Sequence, residues 1–399
     1  MGAGSGAAAI QIKNINKDHI IAMLTEKMTQ YAASVQGEVE QIIRELCAIP
    51  APSHHEEKRA EYCRNWFVSN GFEGVFVDDA LNVIVPVNVK NGSDLTVMMA
   101  HTDTVFPDTE PMPFAEDDTF MYSPGITDDT ANLAVMMVCA RFFRENLPPE
   151  SGSYLFVANS CEEGLGNLKG VRKVMEKYGP QVKEFITLDS ACMDHVVVDA
   201  VGAHRYKVTV RTEGGHSFGS FGNRNAIHVL AGMIGLFYSV KVPQEGNSKT
   251  TYNVGQISGG TSVNTIAQDA QMLYEYRSDN KNCLAKMEQF FLQTIETFRA
   301  SGVEVEVERL GDRPCAGEID SVHFSALRDR IRASVRETQG LEIREDSGST
   351  DCNIPLSMGI ASICFGVCRG GRCHTREEYL EKASLSGGCR LLLDFLYRK

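Results

Sequence analysis

The sequence lacks any uninterrupted apolar run long enough to span a bilayer, which takes about 20 residues. A helical membrane span is thereby excluded from the reading. It also lacks a surplus of positive charge: 39 Lys and Arg stand against 52 Asp and Glu, a formal net charge of −13. A nucleic-acid binder needs a basic face, so neither nucleic acid nor membrane is expected as a partner. An acidic chain is instead suited to gathering divalent cations locally. The opening MGAGSGAAAI has no basic segment, and its apolar stretch is too short for a secretory signal. Residue 6 is Gly, where a myristoylation pattern wants Ser or Thr. The twelve cysteines are scattered singly, without the density of a disulfide-stapled scaffold. Most sit in apolar surroundings, as Cys139 does in AVMMVCARFF, and read as reduced core thiols. A cytoplasmic location is the expectation. No internal repeat is found, and no low-complexity segment beyond the N-terminal residues.

What is present is an ordinary globular composition, 43% hydrophobic and 23% charged, in 399 residues, enough for two or three domains. A helical region is expected from Lys17 to Asn70, broken at IPAPS, where Pro50 and Pro52 forbid a continuous helix. Strand candidates GVFVDD, NVIVPVNV and LTVMMA follow, then the helix ANLAVMMVCARFFREN, the strand SYLFVANS, a helix near Val171 to Lys177 and the strand EFITLDS. Strands alternating with helices predict an α/β sheet, mixed but mostly parallel. From Gly202 the order becomes strand, helix, strand, strand, helix, strand: RYKVTVRT, NRNAIHVLAGMIGLFYSV, TTYNVGQIS, AQMLYEYRS, LAKMEQFFLQTIETFRA and VEVEVERL. This is the split βαβ pattern of a ferredoxin-like α+β domain. After Pro314 the α/β character returns, with a helix near Ser321 to Thr338, the strand ASICFGV and a last helix. The expected organisation is a catalytic domain in two parts, 1–201 and 313–399, with a small domain inserted over 202–312.

Chemistry gathers at the strand ends. The apolar run of LTVMMAHTDTVFP stops in His101, Thr102 and Asp103. Extended residues two apart point the same way, so imidazole and carboxylate share a face, as in a metal-binding histidine whose tautomer a carboxylate fixes. A hydrogen-bonded loop histidine is the plainer alternative. SPGITDDTANLA places Asp128 and Asp129 before a helix, where capping would also explain them. FVANSCEEGLGN sets Glu162 and Glu163 just past a strand. Neighbouring strand residues face opposite ways, so only an irregular turn would bring both carboxylates to one site; an exposed acidic turn is the alternative. FITLDSA ends in Asp189, and CRGGRCHTREEY carries His374 in a Gly-rich loop. Each is weak singly. Together they deliver imidazoles and carboxylates to the carboxyl ends of strands, where open α/β sheets bind ligands. That donor mixture suits zinc, with manganese or cobalt as alternatives.

The ordered series HTDTV, GITDD, CEEG, LD, GGHS and GRCH resembles the M20 family of metallopeptidases and amidohydrolases, which includes peptidase T, carnosinase-like dipeptidases, aminoacylases and glutamate carboxypeptidases. The resemblance covers nearly the whole chain from about Val39 and implies a zinc-peptidase-like fold with an inserted lid and dimerisation domain. It implies two divalent ions. His101, Asp128 and Asp189 would hold one, and Asp128 would bridge to a second completed by Glu163 and His374. Asp103 would orient His101, and Glu162 would be the general base for a water held between the metals. A cis peptide between Asp128 and Asp129 is also implied. His216 in EGGHSFGS would reach the active site of a partner copy and steady the oxyanion. Asn264 in TSVNTIA and Arg277 in YEYRSD would bind the substrate backbone and its terminal carboxylate. SGSTD, with Gly348 and Thr350, resembles the substrate-facing Gly-Thr-Asp segment. Two positions depart from the pattern. Thr130-Ala131 stands where many relatives have Lys-Gly, and Asp189 stands where many acylases and carboxypeptidases of the family carry Glu. Asp there favours the peptidase branches.

Three rival readings are open. GHSFG, Gly215 to Gly219, satisfies the G-x-S-x-G of a serine hydrolase, with Asp351 and His374 following in order; but TEGG precedes Ser217 and GSFGN follows, where the elbow needs a strand and a helix. Cys364, Cys368, Cys373 and His374 cluster, at a spacing that fits no zinc ribbon. An inactive relative serving as a binding module would have lost Glu162 or a ligand, and none is lost. The expectation is a dimeric dizinc hydrolase of small peptides, with N-acyl amino acids as alternative substrates and carboxypeptidase action as a further alternative.

Overall fold

The computed structural model describes residues 23–148 and 150–398. The N-terminal tail and the expected helix start at Lys17 lie outside the described residues. Helices Gln36–Cys47 and Glu57–Ser69 flank the break at Pro50 and Pro52.

Eight strands form the main sheet, in the spatial order Phe76–Val77, Val83–Val87, Ser153–Asn159, Leu95–His101, Val182–Leu188, Ala361–Phe365, His195–Ala200, Arg344–Gly348. Leu95–His101 is central and parallel to both its neighbours. Asn159 lies opposite His101, and Met99 opposite Thr187. These pairings bring the ends of three strands to one edge. The apolar runs are continuous because the sheet is covered on both faces. Met98 and Ala100 pack towards helices Gln36–Cys47, Ala131–Glu145, Ser321–Gln339 and Ser384–Tyr397. Val97 and Met99 pack on the opposite side, with residues of helix Lys169–Tyr178. Three pairings are antiparallel, so the sheet is mixed.

Two strands of this sheet, His195–Ala200 and Arg344–Gly348, are not anticipated from the sequence. The first abuts the next strand without a turn signal. The second is a polar, largely exposed edge. A further small sheet joins Ala115–Glu116, Phe120–Tyr122, Tyr379–Glu381 and Gly370–Gly371, pieces too short to show periodicity.

Between these segments lies a separate antiparallel sheet, ordered Thr250–Gly259, Asp269–Ser278, Gly202–Arg211, Glu304–Arg313. Helices Ala226–Phe237 and Lys281–Ala300 pack on it around Tyr206, Tyr274, Phe237 and Phe291, a core distinct from that of the main sheet. The strand order is ferredoxin-like. No helix among the described residues is long and apolar enough to cross a membrane.

Candidate metal centre

His101 closes its strand fully buried, and three contacts fix it. Its backbone N–H donates to Asp129 Oδ2 at 2.9 Å, and its Nδ1 lies 3.0 Å from the Asp103 carbonyl oxygen and 3.4 Å from Asp103 Oδ1. Nε2 is thereby turned outward, 3.0 Å from Asp128 Oδ1 and 4.0 Å from Asp189 Oδ1. The other Asp128 oxygen, Oδ2, is 3.0 Å from His374 Nε2, which in turn is 3.4 Å from Glu163 Oε1. Two sets emerge, His101–Asp128–Asp189 and Asp128–Glu163–His374, each with donor atoms within 4.8 Å of one another. Among the described residues these are the only groups spaced to hold a metal ion. Asp128 belongs to both.

The loop that presents Asp128 is held from far along the chain. Gly125 adopts φ 74°, and the Asp128–Asp129 peptide is cis. The buried carboxylate of Glu378 accepts from the backbone N–H of Gly125 (2.7 Å), Thr127 (2.7 Å) and Asp128 (3.0 Å), and from Thr127 Oγ1 (2.6 Å). Asn132 donates to the carbonyls of Thr127 and Ser190, both at 3.2 Å, and accepts from Val367 N–H at 2.8 Å. It thus ties the Asp128 loop to the segment after Asp189 and to the one leading to His374. Neither residue was singled out from the sequence; each works through contacts remote in the chain. The capping alternative for Asp128 and Asp129 fails, since helix Ala131–Glu145 has no side-chain cap and both carboxylates face imidazole or backbone of the His101 strand.

Cys161, at φ 57°, supplies the irregular turn that the adjacent glutamates require. Asp103 then grips both: Oδ1 accepts from Glu162 N–H and Oδ2 from Glu163 N–H, each at 3.0 Å, with Ser53 Oγ donating to Oδ2 at 2.7 Å. Glu162 points at Arg313, Oε1 to Nη1 at 3.0 Å, with both side chains almost buried. Arg313 also bonds the Glu162 carbonyl and, at 3.2 Å, Ser349 Oγ. Arg313 was missed because it reads as the polar end of a strand before Pro314.

A cavity of about 340 Å³ opens over this edge. Asp128, Glu162, Glu163, Asp189 and His374 line it together with Arg205, Arg277, Arg313, Ser349 and Thr350. A larger cavity of about 1040 Å³ lies behind the His374 loop, and none of these carboxylates or imidazoles lines it. Of the anticipated substrate residues, Arg277 and Thr350 line the smaller cavity, and Gly348 does not: it ends its strand, its carbonyl accepting from Val201 N–H at 2.7 Å. His216 and Asn264 stand elsewhere, exposed, where Gly215–His216 pairs with Thr265–Ile266 and Ser217 N–H donates to the Asn264 carbonyl at 2.9 Å. His216 Nδ1 accepts from Gly219 N–H at 3.1 Å.

The serine-hydrolase reading finds no support here. Only the two-residue strand Gly215–His216 precedes Ser217, a turn follows it, and Ser217 does not line the cavity. The cysteines of the rival metal site bond to protein oxygens instead, Cys364 Sγ to the Asp189 carbonyl at 3.1 Å and Cys368 Sγ to Asn132 Oδ1 at 3.6 Å.

Electrostatics show what the crowded carboxylates lack. Burial, then the charge of Asp128, raises Asp189 well above the usual carboxylate range. Burial pushes Glu163 up to about 7, against the hydrogen bond from His374. Hydrogen bonds to Asp128 and Glu163 lift His374 to about 11. Burial would raise Asp128, but the hydrogen bonds from the two imidazoles hold it below its ordinary value. Protons are here standing in for positive charge. Glu163 Oε1 is buried, with only the His374 imidazole, at 3.4 Å, to satisfy it. Three carboxylates and two imidazoles in two overlapping sets fit two divalent cations, and the absence of thiolate favours zinc, manganese or cobalt over softer ions.

Residues 97–398 match the model of Peptidase family M20/M25/M40. The uncharacterized protein YqjE of Bacillus subtilis is 24% identical over 358 residues, covering 84% of this chain and 91% of that protein. Among solved structures, aminopeptidase PepT from Bacillus cereus superposes with a TM-score of 0.67 at 24% identity, over 90% of this chain and 98% of that one. A tripeptidase from Staphylococcus aureus gives a TM-score of 0.73 at 22% identity, over 90% and 97%. These structural likenesses show a shared fold.

Proposed function

The chain belongs to Peptidase family M20/M25/M40, a family of metal-dependent peptidases and amidohydrolases, and on that premise we propose that it is a dizinc peptidase acting on small free peptides. The observation that carries the reading is Asp128, whose two carboxylate oxygens each lie 3.0 Å from the Nε2 of a different imidazole, His101 and His374. A carboxylate so placed suits a bridging ligand. His101 and Asp189 would complete one site, Glu163 and His374 the other. When bound, two divalent ions lower the pKa of a water and polarise the scissile carbonyl.

The chain's own residues supply the rest. Asp103 fixes the tautomer of His101 and locks the backbone of the Glu162–Glu163 pair. Glu162 takes the proton of the attacking water and hands it to the leaving nitrogen, its carboxylate aimed by Arg313. Arg277 receives the terminal carboxylate of the substrate, its guanidinium fork suited to that group. Thr350 lines the same cavity. His216 steadies the oxyanion, and Asn264 the substrate backbone, when the inserted domain (202–312) closes on the catalytic parts (1–201 and 313–399) or when a second copy presents its paired segments. The exposed Phe218, Phe221 and Val263 beside these paired segments, with the open edge strand Thr250–Gly259, support dimerisation through this domain. The peptidase preference rests on Asp189 and on the peptidase functions named for the two structural neighbours. A cytoplasmic location is part of the same proposal.

The test is hydrolysis of free dipeptides, tripeptides and N-acetyl amino acids with zinc, cobalt or manganese supplied, beside a chelator arm and Glu162→Ala. Metal-dependent cleavage of peptides that the substitution abolishes is the expected result. Cleavage of acetylated amino acids alone would keep the mechanism and overturn the substrate. Activity indifferent to chelator and substitution would overturn both.

A further inference from the structure

The cavity lined by the carboxylates carries more arginine than a single substrate carboxylate needs. Arg205 sits on the inner strand Gly202–Arg211, directly opposite Glu275 of the neighbouring strand, with Arg277 two residues further on and so on the same face. Glu275 is the one carboxylate both arginines share. Its oxygens accept from Arg277 Nε and Nη2 at 3.0 Å each, and from Arg205 Nε at 3.3 Å. Arg313 is matched separately, by Glu162 at 3.0 Å. Two guanidiniums against one carboxylate leave a positive charge unmatched.

The donors tell the same story. Arg205 spends Nη1 on the Gly164 carbonyl at 2.6 Å, a bond that anchors it beside the Glu162–Glu163 turn. Its Nη2, and Nη1 of Arg277, have no hydrogen-bond partner among the described residues. Both side chains are partly buried and both line the 340 Å³ cavity. Burial, and then the neighbouring charges of Arg313 and Arg277, press the Arg205 pKa below its ordinary value.

We infer that Arg205 reads a second carboxylate on the substrate, so that the preferred substrates are small peptides whose C-terminal residue is Glu or Asp. The terminal carboxylate would go to Arg277 and the side-chain carboxylate to the free edge of Arg205. This rests on the peptidase reading and narrows it. A guanidinium that faces a bound carboxylate discriminates strongly against the neutral isostere, since the amide presents N–H groups to a donor that needs an acceptor.

The experiment compares Ala-Glu with Ala-Gln on the zinc-loaded enzyme, by kcat/KM, in the wild type, Arg205→Met and Arg205→Lys. The wild type should favour Ala-Glu by about 10-fold or more; the ratio should fall to about 1 in Arg205→Met and lie between in Arg205→Lys. Thermal melts of both variants check that they fold. A wild-type ratio near 1, or one that Arg205→Met leaves unmoved, overturns the inference while leaving the peptidase reading intact. If neither dipeptide is cleaved, the peptidase reading fails and calorimetry decides this one. N-acetylglutamate binding about 10-fold or more tighter than N-acetylglutamine, with the difference lost in Arg205→Met, supports it. Equal binding of the two overturns it.

Discussion

The residues marked out from the sequence fall into two regions that behave oppositely. At the edge of the main sheet, His101, Asp103, Asp128, Glu162 and Glu163 are largely shielded, and held by hydrogen bonds before any ligand arrives. In the inserted domain, His216 and Asn264 are exposed at a separate two-stranded ladder, bonded to neighbouring loop residues and away from the cavity. The first region is built by strand register: once apolar strands pair in parallel, their polar ends must meet. The second has no such guarantee. A short ladder on a separate core would reach the site only by closure or from another copy. On the proposed mechanism, pre-organisation belongs to the metal side, and completion of the substrate side would depend on movement or assembly.

The comparison is broken most forcefully at His216. Replacing it with Ala should lower kcat by about 10²–10³-fold, as loss of an oxyanion donor does, with metal content unchanged. Stopped assays and metal analysis on the same preparation check both halves. An unchanged kcat would mean the exposed ladder never joins the site.

Asp103→Asn probes the opposite region. The amide cannot accept from both Glu162 and Glu163 N–H groups, so one buried donor loses its partner. Metal affinity should fall by about 10–100-fold, read by competition with a chromophoric chelator. Wild-type affinity in this variant would show that the glutamate pair needs no such grip.

The smallest expected effect concerns pH. In the metal-free protein Glu163 is raised to about 7 and His374 to about 11. Groups raised in the folded state contribute stability that is complete below their unfolded values and lost as pH rises through the folded ones. The metal-free Tm should accordingly fall between pH 5 and pH 8, on the order of 2–4 °C, while the Tm gained on adding zinc should grow over the same range, because the ligands must lose protons to bind. Scanning calorimetry with and without zinc reads both. A metal-free Tm that climbs across this interval would reverse the sign.

How much of this was legible in the sequence follows from the same contrast. LTVMMA, SYLFVANS and EFITLDS announce strands by unbroken apolar character, and the polar residue ending each is conspicuous for that reason. The inserted βαββαβ order was visible from alternation and helical spacing. Glu378, Asn132 and Arg313 were not. Each acts on a ligand loop more than 50 residues away along the chain (Glu378 on Thr127, Asn132 on Ser190, Arg313 on Glu162), and an isolated Glu or Arg near a turn looks like any solvated charge. Arg205 was hidden likewise, as one basic residue in RYKVTVRT. The strand His195–Ala200 escaped because no turn signal separates it from its successor.

The central claim is that Asp128 joins two metal sites, and metal stoichiometry tests it most directly. Inductively coupled plasma mass spectrometry on protein dialysed against zinc should find two ions per chain, and in Asp128→Asn one or fewer, with the melt confirming a folded variant. A wild type that holds a single ion, or an Asp128→Asn protein that still holds two, would contradict it.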